Sequence, residues 1–184
     1  MSEQNTIRWE SDADGIVVLT LDDPQQQANT MNVRYQRSME QTLERLEQER
    51  ENITGVVLTS AKKTFFAGGD LRELVQARKD DAAQIAETAT AVKKQLRRLE
   101  TLGVPVVAAL NGTALGGGLE IALACHHRIA LDGPKARFGF PEVTLGLLPG
   151  AGGVVRTVRM LGIADARLNV LLQGQRLRPE KALK

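Results

Sequence analysis

The stretch of sequence that decides the fold of this chain is Asn111-Gly112-Thr113-Ala114-Leu115-Gly116-Gly117-Gly118-Leu119-Glu120. The apolar run at residues 104–110 predicts a strand before it, and residues 121–125 continue an apolar helix after it. Three consecutive glycines let the backbone approach a ligand closely, and at a helix start they leave N–H groups unpaired at the positive end of the helix dipole. Such N–H groups suit a negative charge that develops on an oxygen atom.

Glu120 is the only charged residue in the apolar segment 119–125. A carboxylate in such a segment either faces solvent or is kept there for acid–base chemistry. The simpler interpretation is a tight glycine turn followed by a first-turn glutamate that the helix dipole favours. On this stretch alone both interpretations stay open.

A second glycine turn, Ala67-Gly68-Gly69-Asp70, also precedes a predicted helix, which Asp70 and Glu73 would cap. Two such turns, each after a strand of one sheet, could aim two N–H groups at a single oxygen, as in an oxyanion hole. Glu142 lies on a separate element and could share acid and base duties with Glu120 across one water. Its alternative is a helix-start glutamate that follows Pro141.

Composition limits the classes of protein that the chain can belong to. Its 184 residues fit one domain with a sizeable core, and 24 basic against 22 acidic residues give a net charge of +2, which does not favour nucleic acid as a partner. The single cysteine, Cys125, excludes an internal disulfide and is interpreted as a core residue. No apolar run is long enough to span a membrane and the N-terminus lacks a signal peptide, so we expect a cytoplasmic protein.

Hydrophobic periodicity predicts alternating strands and helices, and so an α/β fold with parallel connections. The predicted strands are 7–9, 16–21, 55–60, 104–110, 127–131 and 136–140. The predicted helices are 33–49, 82–102, 154–161 and 165–173, with another beginning at Pro179. The apolar face of helix 82–102 is predicted to comprise Ile85, Ala89, Val92, Leu96 and Leu99.

Other sites are poorly supported. The run Gly150-Ala151-Gly152-Gly153 lacks the spacing and the early position of a dinucleotide fingerprint. His126 and His127 are adjacent, so on a strand they face opposite sides and cannot bind one metal ion, and we expect no metal site. None of the serines lies in a nucleophile elbow.

Three motifs together resemble the enoyl-CoA hydratase/isomerase (crotonase) family, in the order and spacing of that family and over essentially the whole chain. They are Phe66-Ala67-Gly68-Gly69-Asp70-Leu71, the stretch 111–120, and residues 138–153, which begin Phe138-Gly139-Phe140-Pro141-Glu142. The resemblance implies a crotonase (ClpP-like) α/β fold, a spiral of β-β-α repeats. It also implies that residues 1–184 form one such domain, with the C-terminal helices of the family truncated.

A narrower resemblance is to the hydratase part of multifunctional fatty-acid oxidation proteins. It rests on Asn29-Thr30-Met31, Cys125-His126-His127 and residues 176–184. In those proteins a 3-hydroxyacyl-CoA dehydrogenase follows, which is not expected within these residues, and NAD would be needed only by that domain. The implied partners are an acyl-CoA substrate and either copies of the same chain, as a trimer, or a thiolase β subunit.

The resemblance implies hydration of trans-2-enoyl-CoA without a cofactor. The N–H groups of Gly69 and Gly117 would bind the thioester oxygen, and Glu120 and Glu142 would hold one water that adds across the double bond. Residues implied to line the substrate channel are Ala28, Ala67, Gly68, Asp70, Leu71, Leu115, Gly116, Pro141 and Thr144. Two alternatives stay open, an inactive acyl-CoA-binding or assembly module and a Δ3-Δ2-enoyl-CoA isomerase.

Overall fold

The structure is a computed structural model that describes residues 5–70 and 75–182. Its strands are β1 (Ile7–Ser11), β2 (Ile16–Leu21), β3 (Gly55–Ser60), β4 (Val106–Leu110), β5 (Ala114–Leu115), β6 (His127–Ala130) and β7 (Phe138–Gly139). Its α-helices are α1 (Val33–Gln48), α2 (Ala82–Glu100), α3 (Gly117–Ala124), α4 (Gly153–Asp165) and α5 (Pro179–Ala182). Short 3-10 turns cover Arg50–Asn52, Lys79–Asp81 and Pro141–Leu145, and a π-helical segment covers Ala166–Leu171. Within the described ranges, no helix is long and apolar enough to cross a membrane.

Five strands form the main sheet in the order β1-β2-β3-β4-β6. Only β1 and β2 are antiparallel, and the pairs β2–β3, β3–β4 and β4–β6 are parallel. Parallel neighbours need long crossover connections, which here carry α1, α2 and α3. The α/β class with parallel connections is therefore confirmed.

Two short strands form a second, smaller sheet. Strands β5 and β7 pair in parallel through Ala114 with Phe138 and Leu115 with Gly139. Isolated bridges join Phe66 to Ala114 and Phe138 to Leu177, so successive segments of the chain contribute one short stretch each. The alternation of a long strand, a short extended stretch and a helix agrees with the predicted spiral of β-β-α repeats.

The core lies where α1 and α2 pack on the main sheet. Leu19, Leu58 and Val106 point from three adjacent strands into the same cluster as Leu43 of α1 and Leu96 of α2, and all five are almost completely buried. Burial alternates along β4 and along the first half of β2, so every second residue there faces the core and is apolar. This packed sheet fixes the carboxyl ends of β3 and β4, from which the two glycine turns emerge.

One helix prediction was wrong in detail. Ile85 is 42% exposed, because the burial along α2 starts only at Val92 and its first half extends beyond the sheet. The predicted helix 154–161 is confirmed, because the backbone of α4 leaves the helical conformation at Gly162, where φ is +78° and ψ is 164°, and most of the predicted helix 165–173 is the π-helical segment. The predicted strand 136–140 shortens to β7, since Pro141 starts a 3-10 turn directly after Phe140.

Candidate active site

The two glycine turns lie side by side at the carboxyl ends of β3 and β4. The N–H of Leu115 donates to the Phe66 carbonyl at 3.2 Å, which joins the first turn to the start of the second. Gly68 has a φ of +99°, and a Cβ added there would lie 3.0 Å from the Leu115 carbonyl oxygen and 3.8 Å from the amide nitrogen of Gly117. Only a residue without a side chain fits this approach at low cost.

The amides of Gly69 and Gly117 are free to bind a ligand. In the hydrogen bonds among residues 5–70 and 75–182, neither N–H donates to a backbone or side-chain acceptor. Gly117 is the first residue of α3, so its N–H is one of the groups that a helix leaves unpaired at its N-terminus. The positive end of that helix dipole lies at the same place.

Asn29 holds the first turn in position, a role that the sequence patterns did not reveal. Its side-chain amide donates to the Leu21 carbonyl at 3.1 Å and to the Ser60 hydroxyl at 2.9 Å. The backbone carbonyl of Asn29 accepts from the Ala67 N–H at 2.8 Å. The side chain is buried, so each of these bonds avoids an unpaired polar group. Next to it, the Met31 N–H donates to the Gly68 carbonyl at 2.9 Å.

Glu120 is a buried carboxylate with a defined anchor. It is only 2% exposed, and its Oε1 accepts hydrogen bonds from the N–H groups of Ala151 and Gly153, each at 2.7 Å. Burial raises the pKa of Glu120, while these two donors and the charges of Arg156 and Lys93 act to lower it. The solvent-facing interpretation of Glu120 is therefore wrong, because the helix turns this side chain into the protein.

The glycine-rich loop that supplies these donors has a role that the sequence did not predict, which is to anchor Glu120. Gly153 must lack a side chain, because a Cβ there would lie 2.7 Å from Phe140 Cζ and 2.9 Å from Glu120 Cγ. Oε1 of Glu120 takes both hydrogen bonds, and among the described residues none donates to Oε2. That second oxygen can therefore accept a proton from a water.

Glu142 approaches the same place from the 3-10 turn Pro141–Leu145. Its Oε1 would be 2.6 Å from a Cβ added at Gly116, so the carboxyl group lies directly over the triple-glycine turn. Its Oε2 is buried and has no hydrogen-bond partner among the described residues. Burial, together with the charge of Glu120, raises the pKa of Glu142 to about 7.

The arrangement brings two carboxyl groups of different character together beside two free N–H groups. Glu120 has donors that favour its charged form, and Glu142 has none from the rest of the described chain, so Glu142 holds a proton more readily near neutral pH. Two such groups can remove a proton at one side of a reacting water and supply one at the other. Free N–H groups nearby can stabilise the negative oxygen that forms meanwhile.

The other predicted substrate-channel residues lie on different elements, and Pro141 is the first residue of the 3-10 turn that carries Glu142. Ala67, Gly68, Leu115 and Gly116 form the two turns themselves, and the half-buried Ala28 precedes Asn29. Thr144 lies in the same 3-10 turn as Glu142, where its hydroxyl donates to the Pro141 carbonyl at 2.6 Å and its methyl group packs near Gly174. Asp70 is half-buried next to Gly69, whereas Leu71 and the proposed capping residue Glu73 lie outside the described residues.

Two further expectations concern Cys125 and metal ions. Cys125 is buried and burial raises the pKa of its thiol to about 12, which confirms it as a core residue. In the part of the chain that the structure describes, no group of three or more His, Cys, Asp or Glu side chains is arranged to hold a metal ion.

Comparison with known proteins gives a family match over most of the chain. The family described as enoyl-CoA hydratase/isomerase matches residues 11–184. The fatty acid oxidation complex subunit alpha of Shewanella oneidensis is 44% identical over 176 residues, which cover 93% of this chain and 24% of that protein. This chain therefore spans about a quarter of the length of the curated relatives that it matches.

Solved structures agree with the fold. The crystal structure of an enoyl-CoA hydratase from Bacillus anthracis superposes with a TM-score of 0.85 and 33% identity, over 97% of this chain and 66% of that one. An enoyl-CoA hydratase from Thermoplasma volcanium gives a TM-score of 0.83 at 26% identity, over 98% of this chain and 69% of that one.

Proposed function

Since the chain belongs to the enoyl-CoA hydratase/isomerase family, we propose that it adds water to trans-2-enoyl-CoA to give 3-hydroxyacyl-CoA. The family and the names of its relatives support a role in fatty-acid β-oxidation. The observation that carries the more specific proposal is the pair of glutamates. Glu120 is anchored by two N–H donors and Glu142 has a pKa of about 7, and both lie at the triple-glycine turn.

The thioester oxygen would lie between the amides of Gly69 and Gly117. These two donors draw electron density from the conjugated double bond toward that oxygen, so that C3 becomes electrophilic. The enolate that forms when C3 is attacked carries its negative charge on the same oxygen. Because the thioester itself is activated in this way, the reaction needs neither a metal ion nor an organic cofactor.

Glu120 would act as the base and Glu142 as the acid. Oε2 of Glu120 takes a proton from the bound water while the oxygen of that water bonds to C3. The electrons of the double bond move to the thioester oxygen. The enolate then collapses as C2 takes the proton of Glu142. One water has been added, and transfer of the proton from Glu120 to Glu142 restores the starting state. The assignment follows from the different environments of the two carboxyl groups.

The test is the disappearance of the enoyl-thioester absorbance of crotonyl-CoA in the presence of the chain, of Glu120→Gln and of Glu142→Gln. We expect each substitution to reduce kcat by about 10²- to 10⁴-fold, the usual contribution of a general acid or base. The matched control is Glu180→Gln, an exposed glutamate on α5, which should leave kcat unchanged.

Titration with butyryl-CoA, a saturated analogue that cannot be hydrated, separates this proposal from the alternatives. Binding of butyryl-CoA without turnover of crotonyl-CoA would replace the hydratase with an acyl-CoA-binding module. Conversion of a 3-enoyl-CoA to the 2-enoyl isomer without hydration would replace it with an isomerase. Full activity in either glutamate variant would contradict the proposed division of acid and base.

The wider setting is also a proposal. The relatives' printed name refers to a complex, so we propose that the chain works in an oligomer, either a trimer of its own copies or an assembly with a thiolase β subunit, in the cytoplasm. Sedimentation of the chain alone and after mixing with a thiolase β subunit tests both forms. An NAD requirement would belong to a dehydrogenase domain and not to the hydratase that we propose for this chain.

A further inference from the structure

The orientation of Glu120 depends on how the loop 151–153 is held. The N–H groups of Ala151 and Gly153 converge on one carboxylate oxygen at the same distance, 2.7 Å. Between them, Gly152 has a φ of +103°, in the region that side chains rarely adopt. A small rotation of either peptide would turn its N–H away from Glu120.

Arg156 holds this loop from behind. Its Nη1 donates to the Ala151 carbonyl at 3.1 Å, and a Cβ on Gly152 would collide with the same Nη1. The N–H of Arg156 also donates to the Gly152 carbonyl at 3.1 Å. The guanidinium group therefore holds the peptide between residues 151 and 152, which lies between the two peptides that carry the donors to Glu120.

The other arm of the guanidinium is fixed at the end of α2. Nη2 of Arg156 donates to Oε2 of Glu100 at 3.2 Å, and the side chain of Arg156 is only 11% exposed. Glu100 is itself held, because Oε2 also accepts from Arg97 at 2.9 Å and its backbone carbonyl lies 3.0 Å from Nε2 of His126. Nδ1 of His126 accepts a hydrogen bond from the N–H of Val106 at the start of β4. The imidazole therefore carries its proton on Nε2 and donates it to the backbone carbonyl of Glu100.

The charge of Arg156 also acts on the carboxylate. The charged groups that affect Glu120 are Arg156 on α4 and Lys93 on α2, which lower its pKa, and Glu142, whose own pKa Glu120 raises. Burial acts in the opposite direction. Removal of the positive charge of Arg156 therefore favours the protonated form of Glu120, which cannot act as a base.

We propose that Arg156, held by Glu100, is a positioning residue that sets both the orientation and the charge of Glu120. This inference rests on the proposed hydratase function, in which Glu120 is the base. It assigns a role to the contact between the end of α2 and the loop 151–153, more than 50 residues apart in the sequence.

The experiment compares Arg156→Lys, Arg156→Gln and Glu100→Gln, with Arg159→Gln as the matched control on an exposed position of the same helix. We expect Arg156→Gln to lower kcat for crotonyl-CoA hydration by about 100-fold with little change in KM, because a displaced catalytic group affects the chemical step. Arg156→Lys keeps the charge but cannot bond the Ala151 carbonyl and Glu100 in the same planar geometry. It should lose part of kcat, as should Glu100→Gln.

A second readout separates this role from a purely structural one and does not depend on turnover. The carboxyl ¹³C resonance of Glu120, identified by its loss in Glu120→Gln, reports the pKa of that group in the absence of substrate. Arg156→Gln should raise this pKa, whereas Arg156→Lys and Arg159→Gln should leave it close to that of the parent chain. Thermal unfolding verifies that each variant is folded. If Arg156→Gln is unfolded, the titration of Glu120 is made in Glu100→Gln instead.

The outcomes are distinct. An unchanged pKa of Glu120 in folded Arg156→Gln overturns the inference, as does an equal loss of kcat in Arg159→Gln. If the parent chain does not hydrate crotonyl-CoA, the proposed function fails, while the titration still decides whether Arg156 controls the charge of Glu120.

Discussion

Glu142→Gln should stabilise the folded protein at alkaline pH while it removes the proposed activity. The pKa of Glu142 is raised from 4.5 to about 7, with burial as the largest cause. Between these two values the folded chain binds more protons than the unfolded chain, so its stability falls as the pH rises through that window. Glutamine has the same shape but no charge, and the variant lacks this loss.

The magnitude follows from the width of the window. A difference of about 2.5 pH units, at about 1.4 kcal/mol for each, sets an upper limit of about 3.5 kcal/mol. The side chain is only partly buried, so solvent screening reduces the effect, and we expect about 1–2 kcal/mol. The buried, unbonded Oε2 is consistent with this cost, because no donor in the described chain reaches that oxygen, and the hydrogen bond from the backbone N–H of Glu142 itself offsets the burial only in part.

The assay is urea unfolding of the parent chain and of Glu142→Gln at pH 5 and at pH 8. The quantity of interest is the decrease in the free energy of unfolding from pH 5 to pH 8. This decrease should be about 1–2 kcal/mol smaller in Glu142→Gln than in the parent chain. Glu120 contributes to the raised pKa, so Glu120→Gln should reduce the pH dependence that Glu142 causes. The same pH dependence in the parent and in Glu142→Gln would refute the reasoning.

Three more predictions test the packing and the chemistry. Gly118→Ala should destabilise the fold by about 1–3 kcal/mol in thermal unfolding, because a Cβ there would lie 2.5 Å from the Phe66 carbonyl oxygen. Gly150→Ala should not, because a Cβ at Gly150 would have no atom within 4 Å. Equal melting temperatures of the two variants would contradict this prediction. The thiol of Cys125, buried and with a pKa of about 12, should react with a disulfide reagent only after unfolding by urea, and rapid labelling of the native chain would show that it is not a core residue. If Glu142 is the acid, kcat/KM for crotonyl-CoA should fall as the pH rises through about 7, and a rate independent of pH between 5.5 and 8.5, which are roughly the limits of a titration centred there, would remove that role.

The sequence was sufficient for the elements whose signal is local. Strands β2 and β3 and helix α1 lie within a residue of their predicted bounds, because the spacing of their apolar residues indicates the element directly. The exposure of Ile85 was not predictable in this way. Its spacing matches the buried face of α2, but periodicity does not say how far a helix extends beyond the sheet that covers it.

The residues of the site also differ in how far the sequence could predict them. The glycine turns and the two glutamates could be named from motifs, whereas the partners that hold Glu120 could not, since Ala151 and Gly153 donate through the backbone and any residue type has an N–H. Asn29 and Arg156 act through contacts with residues that are 31 and 56 positions away. No single-sequence pattern encodes such pairs, and only the folded chain reveals them.

The way in which the loop 151–153 reaches Glu120 has a consequence for the order of events in folding. Successive segments contribute the first turn, the triple-glycine turn, Glu142 and finally the anchor of Glu120, in the order of the chain. Contacts so distant in sequence form late, after the entropy of closing the intervening loops has been overcome. A nascent chain would thus have its sheet and both glycine turns before it could carry out any chemistry. Recovery of activity during refolding should therefore lag behind recovery of secondary structure.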